Sequence, residues 1–264
     1  MKRRLLLVLT EIWLPALLVA LWYAASAGST SAYFPPLGTM VSSLRKDWLF
    51  AHVSTDLVPS LEILAYGYAA ALVLGIGLGV ALGLLRGAER ATRPLLEVLR
   101  AIPGVALLPV FVVALGIGTS MKVTMVAVGA VWPVLLNTID GVRGIEPLLF
   151  DVARTFRLSR ADRLRRIVLP GTGPQIFAGA RTALAIAVFV MVVSETVGSS
   201  GGIGYFLQNA QRNFQIADMW GTIIALGILG YLLNMTFRLV ESIVLRWHRL
   251  QQARHDQPAP AGRK

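Results

Sequence analysis

Apolar and polar positions in this chain alternate in long blocks, not in short periods. Runs with little or no charge cover about 12–27, 63–85, 101–121, 123–139, 182–194 and 219–237. Most approach the ~20 residues that a helix needs to cross ~30 Å of hydrocarbon at ~1.5 Å per residue. The fifth is the shortest unless it extends beyond Glu195. In lipid every backbone N–H and C=O must be bonded inside its own segment, so such blocks are expected as helices. The pattern predicts an all-α, polytopic membrane protein with about six transmembrane helices, forming one domain over residues 1–264.

The polar connections are uneven. The stretch DVARTFRLSRADRLRRIVLP, Asp151 to Pro170, carries six arginines from Arg154 to Arg166. At ~100° per residue, Ala153, Phe156, Ala161, Leu164, Ile167 and Val168 share one broad arc, while Arg157 and Arg160 intrude on it. That intrusion predicts two short helices with a break between them. Ser159 and Asp162 have the spacing of a capping box, which starts the second helix at Ser159. Pro170 is expected to end it, because the residue before proline is pushed away from helical geometry. A basic loop lying on anionic headgroups fits the same composition.

Charge then orients the spans. Of the 25 Lys and Arg residues, only Arg45, Lys46, Lys122 and Arg212 fall on one side; the other twenty-one fall opposite. Positive residues mark the cytoplasmic face, which places there residues 1–10, the loop 140–173 and a flexible tail 246–264. The net charge of +11 is accounted for by this asymmetry, so nucleic-acid binding is not needed to explain it. Overall, 55% of residues are hydrophobic and 15% charged, against roughly a quarter charged in soluble domains. The first block also resembles a signal peptide ending at Ala25-Ser26-Ala27, although Glu11 and Pro15 suit a retained helix better.

Chemistry is sparse. There are no cysteines, and His52, His248 and His255 are scattered, so no metal or thiol site is expected. No G-x-x-x-x-G-K-[ST] phosphate loop occurs, so ATP binding by this chain is not expected. No Asp, Glu, Lys or His falls in the middle of a predicted span, which argues against a proton-driven carrier. Dispersed acids likewise argue against a membrane-embedded enzyme. Gly75, Gly79 and Gly83 recur every four residues in the second block, the spacing that lets helices approach closely, within one chain or between two.

The arginine-rich loop resembles the EAA motif of importer-type ABC transporter permeases, E-A-A-x3-G-x9-I-x-L-P. The matching positions are Asp151, Val152, Ala153, Arg157, Ile167, Leu169 and Pro170. The stretches LRAIPGVALLPVFVVALGIG, WPVLLNTIDGVRGIEP and SSGGIGYFLQNA resemble the branch importing nitrate, sulfonates and taurine. The resemblance implies a type I importer permease in the bacterial inner membrane, with both termini cytoplasmic and no catalytic role of its own. It implies two copies of the permease, two ATPase subunits that bind ATP and Mg, and an extracytoplasmic solute-binding protein. Asp151, Val152, Ala153, Phe156, Arg157, Leu164, Ile167, Leu169 and Pro170 would form the ATPase-coupling segment, with Phe156, Ala153 and Leu164 in apolar contact. Pro103 and Pro109 would kink the third span beside the pathway, and Glu195 would belong to an outer gate, dock the binding protein or be a solvated loop acid. Arg157 departs from the motif glycine, where a left-handed turn costs a non-glycine residue roughly 1–2 kcal/mol. The solute itself is left open among sulfonates, nitrate, bicarbonate and uncharged heterocycles.

Overall fold

The structure, a computed structural model, describes residues 2–246. Eleven α-helices follow in chain order among them: α1 (Lys2–Ser26), α2 (Leu37–Lys46), α3 (Val58–Leu84), α4 (Arg86–Ala101), α5 (Leu108–Leu115), α6 (Thr119–Arg143), α7 (Pro147–Thr155), α8 (Arg160–Arg163), α9 (Leu169–Glu195), α10 (Ile203–Arg212) and α11 (Ile216–Val244). Four helical stretches are long and apolar enough to cross a membrane: Val53–Leu84, Thr119–Arg143, Arg160–Glu195 and Ile216–Val244. A fifth crossing arises if Gly87–Ala101 and Gly104–Leu115, bent by 83°, form one broken span. Helix α1, with 25 residues, supplies the first expected block. From residue 247 the expected tail lies outside the described residues.

Two expected boundaries are corrected. The third block is not one helix: Pro103 caps a 3₁₀ turn over Gly104–Leu107, Pro109 sits in the first turn of α5, and Gly116 at φ 73° ends it. Proline is pre-set for a first helical turn, where its missing N–H has no intrahelical partner to lose. The prolines therefore start turns instead of kinking a continuous span. The fifth block begins much earlier than residue 182. Pro170 does not end a helix, because a π-helical turn over Leu164–Val168 carries the chain straight from α8 into α9. The Leu169 N–H reaches five residues back to the Leu164 carbonyl. That wider turn accommodates a ring which would otherwise meet the carbonyl four residues earlier.

The chain divides into two compact units. Among the described residues the larger comprises Leu61–Gly198 and 229–246. Here the glycine repeat has its explanation. A Cβ on Gly67, Gly75, Gly79 or Gly83 would stand 2.6–2.7 Å from the Cβ of Val126, Val134, Thr138 or Val142 respectively. The constant offset means that α3 and α6 run parallel in one register, with Ala71 and Ala130 buried midway. Lipid is as apolar as a side chain, so helices associate in it through close packing. The repeat is thus an intrachain seam. Helix α9 returns antiparallel on α6, where Gly179 meets the Pro133 carbonyl and Gly141 meets Thr172. The Tyr68 hydroxyl of α3 donates to the Ala180 carbonyl of α9 at 2.9 Å.

Among the described residues the smaller unit comprises 2–60 and Ser199–Ile228. It is held by buried polar groups. Ser43 bridges the carboxyl groups of Asp47 and Asp218, and the Trp48 indole donates to Thr222 Oγ1 at 3.1 Å. Asp56 is buried and accepts the Gly202 N–H at 2.8 Å and the Thr55 hydroxyl at 2.9 Å. The His52 ring lies 2.8 Å from the same carboxyl group and packs against Phe206. Two or more hydrogen bonds to one carboxylate are what a buried acid requires.

Candidate coupling site

The arginine-rich segment folds as helix, turn, helix. Helix α7 starts with Pro147 in its first turn. It ends in a Schellman motif: the Leu158 N–H bonds to the Ala153 carbonyl and the Arg157 N–H to the Arg154 carbonyl, each at 2.9 Å. This geometry needs a left-handed residue after the C-cap, a position usually held by glycine. Here it is Arg157, at φ 51°. Its side chain is exposed, and no hydrogen bond or ion pair to it is found among the described residues. The turn therefore adopts the strained conformation, with no side-chain hydrogen bond or ion pair among the described residues to offset it. The same closure recurs after α10, where Phe214 at φ 54° holds the equivalent place.

Ser159 then caps α8 as the spacing predicts: its Oγ accepts the Asp162 N–H at 3.0 Å and donates to the Asp162 carboxylate at 2.6 Å. The apolar arc does not stay together. Ala153 is buried, and Leu164, Ile167 and Phe150 pack on Val142, Ile145 and Val168 of the chain's own core. Phe156 is the C-cap residue, and the turn swings it outward to 75% exposure. It joins Leu148, Leu149 and Val152 as exposed apolar side chains of this segment. Leu148 was missed by treating the motif as beginning at Asp151; a helix starting at Pro147 puts it one turn from Val152. Asp151 pairs with Arg154 and Asp162 with Arg166, all on the surface, where such pairs contribute about 0–1 kcal/mol. Leu169 is partly exposed and Pro170 half-buried beside them.

The segment hangs from the ends of α3 and α6, where α4 also attaches. Arg143 Nη2 lies 2.6 Å from Glu89 Oε2. Helix α4 is charged and amphipathic, and Glu89, in its first turn, lies outside the four continuous spans. The hydrogen bond from Arg143 holds its carboxyl below the usual range; burial works the other way, and the charges of Arg143, Arg93 and Arg90 add to the lowering.

The remaining candidates do not gather in one place. Pro103 and Pro109 belong to the broken α4–α5 region. Glu195 ends α9 and is wholly buried, so it is not a solvated loop acid. Its charge acts on Lys122, which is itself buried in the first turn of α6. Arg181, which directly precedes the apolar block 182–194, stands in the middle of α9, because that helix starts at Leu169. No group of three or more His, Asp or Glu able to hold a metal occurs among the described residues.

Known proteins match this arrangement. The family described as binding-protein-dependent transport system inner membrane component matches residues 71–249. The Bacillus subtilis protein SsuC, named for transport of aliphatic sulfonates, is 33% identical over 239 residues, covering 89% of this chain and 86% of SsuC. The nitrate import permease protein NrtB of Leptolyngbya laminosa is 28% identical over 240 residues, covering 86% and 84%. Among solved structures, the MetNI methionine ABC transporter in an inward-facing conformation superposes with a TM-score of 0.64 at 21% identity, covering 72% of this chain and 94% of that one. The chain belongs to the family of inner membrane components of binding-protein-dependent transport systems.

Proposed function

We propose that this chain is the membrane pathway of an ATP-driven importer for a small oxyanion, of the sulfonate or nitrate kind, delivered by an extracytoplasmic binding protein. The match to SsuC across 89% of the chain carries this reading, and NrtB supports the same anion class. Two copies of the chain form the pathway, with both termini in the cytoplasm, and two ATPase subunits dock beneath. The docking handle is the segment 140–173. Phe156, Val152, Leu148 and Leu149 offer apolar contacts, Asp151 and the surrounding arginines offer polar ones, and Ala153, Leu164, Ile167, Leu169 and Pro170 join the handle to the spans. The π turn and α9 form one continuous helical rod with α8, so a push on the loop reaches the spans without being absorbed. Nucleotide and Mg belong to the ATPase; this chain is a non-catalytic transport subunit.

Uptake of an alkanesulfonate and of nitrate by cells expressing this chain with its ATPase and binding protein tests the reading. Uptake should require all three components and cease when the ATPase is inactivated. Uptake by this chain alone would identify a self-contained carrier or channel instead.

A further inference from the structure

Arg181 stands twelve residues after Leu169 and fourteen before Glu195, about 18 and 21 Å along the helix axis. It is therefore a permanent charge near the middle of an apolar helix. Charges at that depth are costly and either pair with one another or line a solute path. Arg181 does the first: its Nη2 pairs with Glu241 of α11. Yet its side chain stays 43% exposed, and it borders a cavity of about 480 Å³ together with Tyr231, Asn234 and the apolar Leu184, Val188 and Leu233. A guanidinium has five N–H donors, so one ion pair leaves others for the cavity.

Helix α11 is largely apolar, and four of the polar residues in its second half are aligned, with Thr236 on the opposite side. At ~100° per residue, Tyr231, Asn234, Arg238 and Glu241 fall within an arc of about 80°. A stripe of donors and charges thus descends α11 from the level of the cavity toward the end marked cytoplasmic by the basic residues, and Arg181 faces it through Glu241.

We infer that Arg181 and this stripe form an intramembrane station for the head of an oxyanion. The guanidinium fork matches the paired oxygens of sulfonate, nitrate or a phosphate group. Glu241 holds the charge when the station is empty and yields it when an anion arrives, and Arg238 offers the next cation along the stripe. This rests on the reading of the chain as a permease for oxyanions.

The test uses the complete transporter in phosphatidylcholine vesicles, assayed for uptake of methanesulfonate and nitrate and for binding-protein-stimulated ATP hydrolysis. Arg181→Gln should lower uptake of both anions about tenfold or more, the worth of one charge-assisted hydrogen bond, while ATP hydrolysis persists. The double exchange Arg181→Glu with Glu241→Arg should restore the melting temperature but not uptake. Undiminished uptake by Arg181→Gln, or its rescue by the exchange, would show that the pair merely ties α9 to α11. Should Arg181→Gln fail to assemble, Arg181→Lys carries the test: it keeps a charge to pair with Glu241 but loses the planar fork, so it should lower uptake of both anions while ATP hydrolysis persists, and undiminished uptake would overturn the inference. Added phosphatidylglycerol separates a lipid source of the same chemistry. If it raises the melting temperature of the wild type but not of Arg181→Gln, with equal uptake per ATP, the site serves a lipid phosphate and the inference falls. Wild-type transport of neither anion would defeat the substrate-class reading and the inference together, whereas equal transport by wild type and Arg181→Gln would defeat the inference alone.

Discussion

A Cβ added to Gly79 would stand 2.6 Å from the Cβ of Thr138, closer than side chains tolerate. The contact is not a local accident, since Gly67, Gly75 and Gly83 meet Val126, Val134 and Val142 in the same register. Gly79→Ala should therefore destabilise the permease by about 1–3 kcal/mol through overpacking. Gly77 has nothing within 4 Å of its would-be Cβ. Gly77→Ala should be neutral or stabilising by up to about 1 kcal/mol, as in any helix interior. Thermal melts of the two variants in detergent provide the check; equal effects would contradict the seam.

The left-handed Arg157 supplies a second prediction. Arg157→Gly should relieve roughly 1–2 kcal/mol of backbone strain and lose up to about 1 kcal/mol to the greater freedom of the unfolded chain. The expected result is a small rise in melting temperature, with a similar rise for Phe214→Gly in the other Schellman turn. A clear loss of ATP-coupled uptake in Arg157→Gly, without loss of stability, would mean that the guanidinium touches the ATPase.

Residues of the coupling segment should divide by burial. Phe156→Asp and Leu148→Asp alter exposed side chains, so they should abolish co-purification of the ATPase while leaving the melting temperature nearly unchanged. Leu164→Ala should do the reverse. It opens space in the core around Val142, Ile145 and Val168, at a cost of about 2 kcal/mol or more, with docking retained at permissive temperature. ATPase binding that survives both aspartates would remove the docking role from this face.

The Glu89–Arg143 pair makes an acid-side prediction. The folded state holds the Glu89 carboxyl below its ordinary value, so the unfolded chain takes up the proton first as pH falls. The stabilisation is therefore fully present above the ordinary glutamate range near 4.3 and is lost as pH drops through the lower folded value. Glu89→Gln should reduce stability at pH 7 and flatten its decline between about pH 5 and 3. An unchanged pH profile would show that the contact contributes nothing.

Much of the loop was legible because its signals are local. Ser159 and Asp162 are three residues apart, and a cap depends on little beyond that spacing. The turn before it was legible too, down to the residue that suits it least. What was not legible was which side each apolar residue would take. Ala153 and Phe156 share an arc on an uninterrupted helix, but α7 ends between them, and the Schellman turn sends Phe156 outward. The break in the third block and the passage through Pro170 also escaped. A proline announces a disturbance, while the surrounding packing decides whether the chain stops, restarts or widens by one π turn.

By itself, then, the sequence determined that this chain lives in a membrane as a bundle of helices and which of its faces carries the positive charge. Those properties follow from transfer energies summed over whole segments, and long uncharged blocks leave no alternative. Tertiary structure alone decided that the glycine repeat is an intrachain seam, that Glu195 is buried in the charge field of Lys122, and that Arg181 stands in mid-helix opposite Glu241. Each is a contact between residues from different helices, and its partner is chosen by packing register, which no single segment contains.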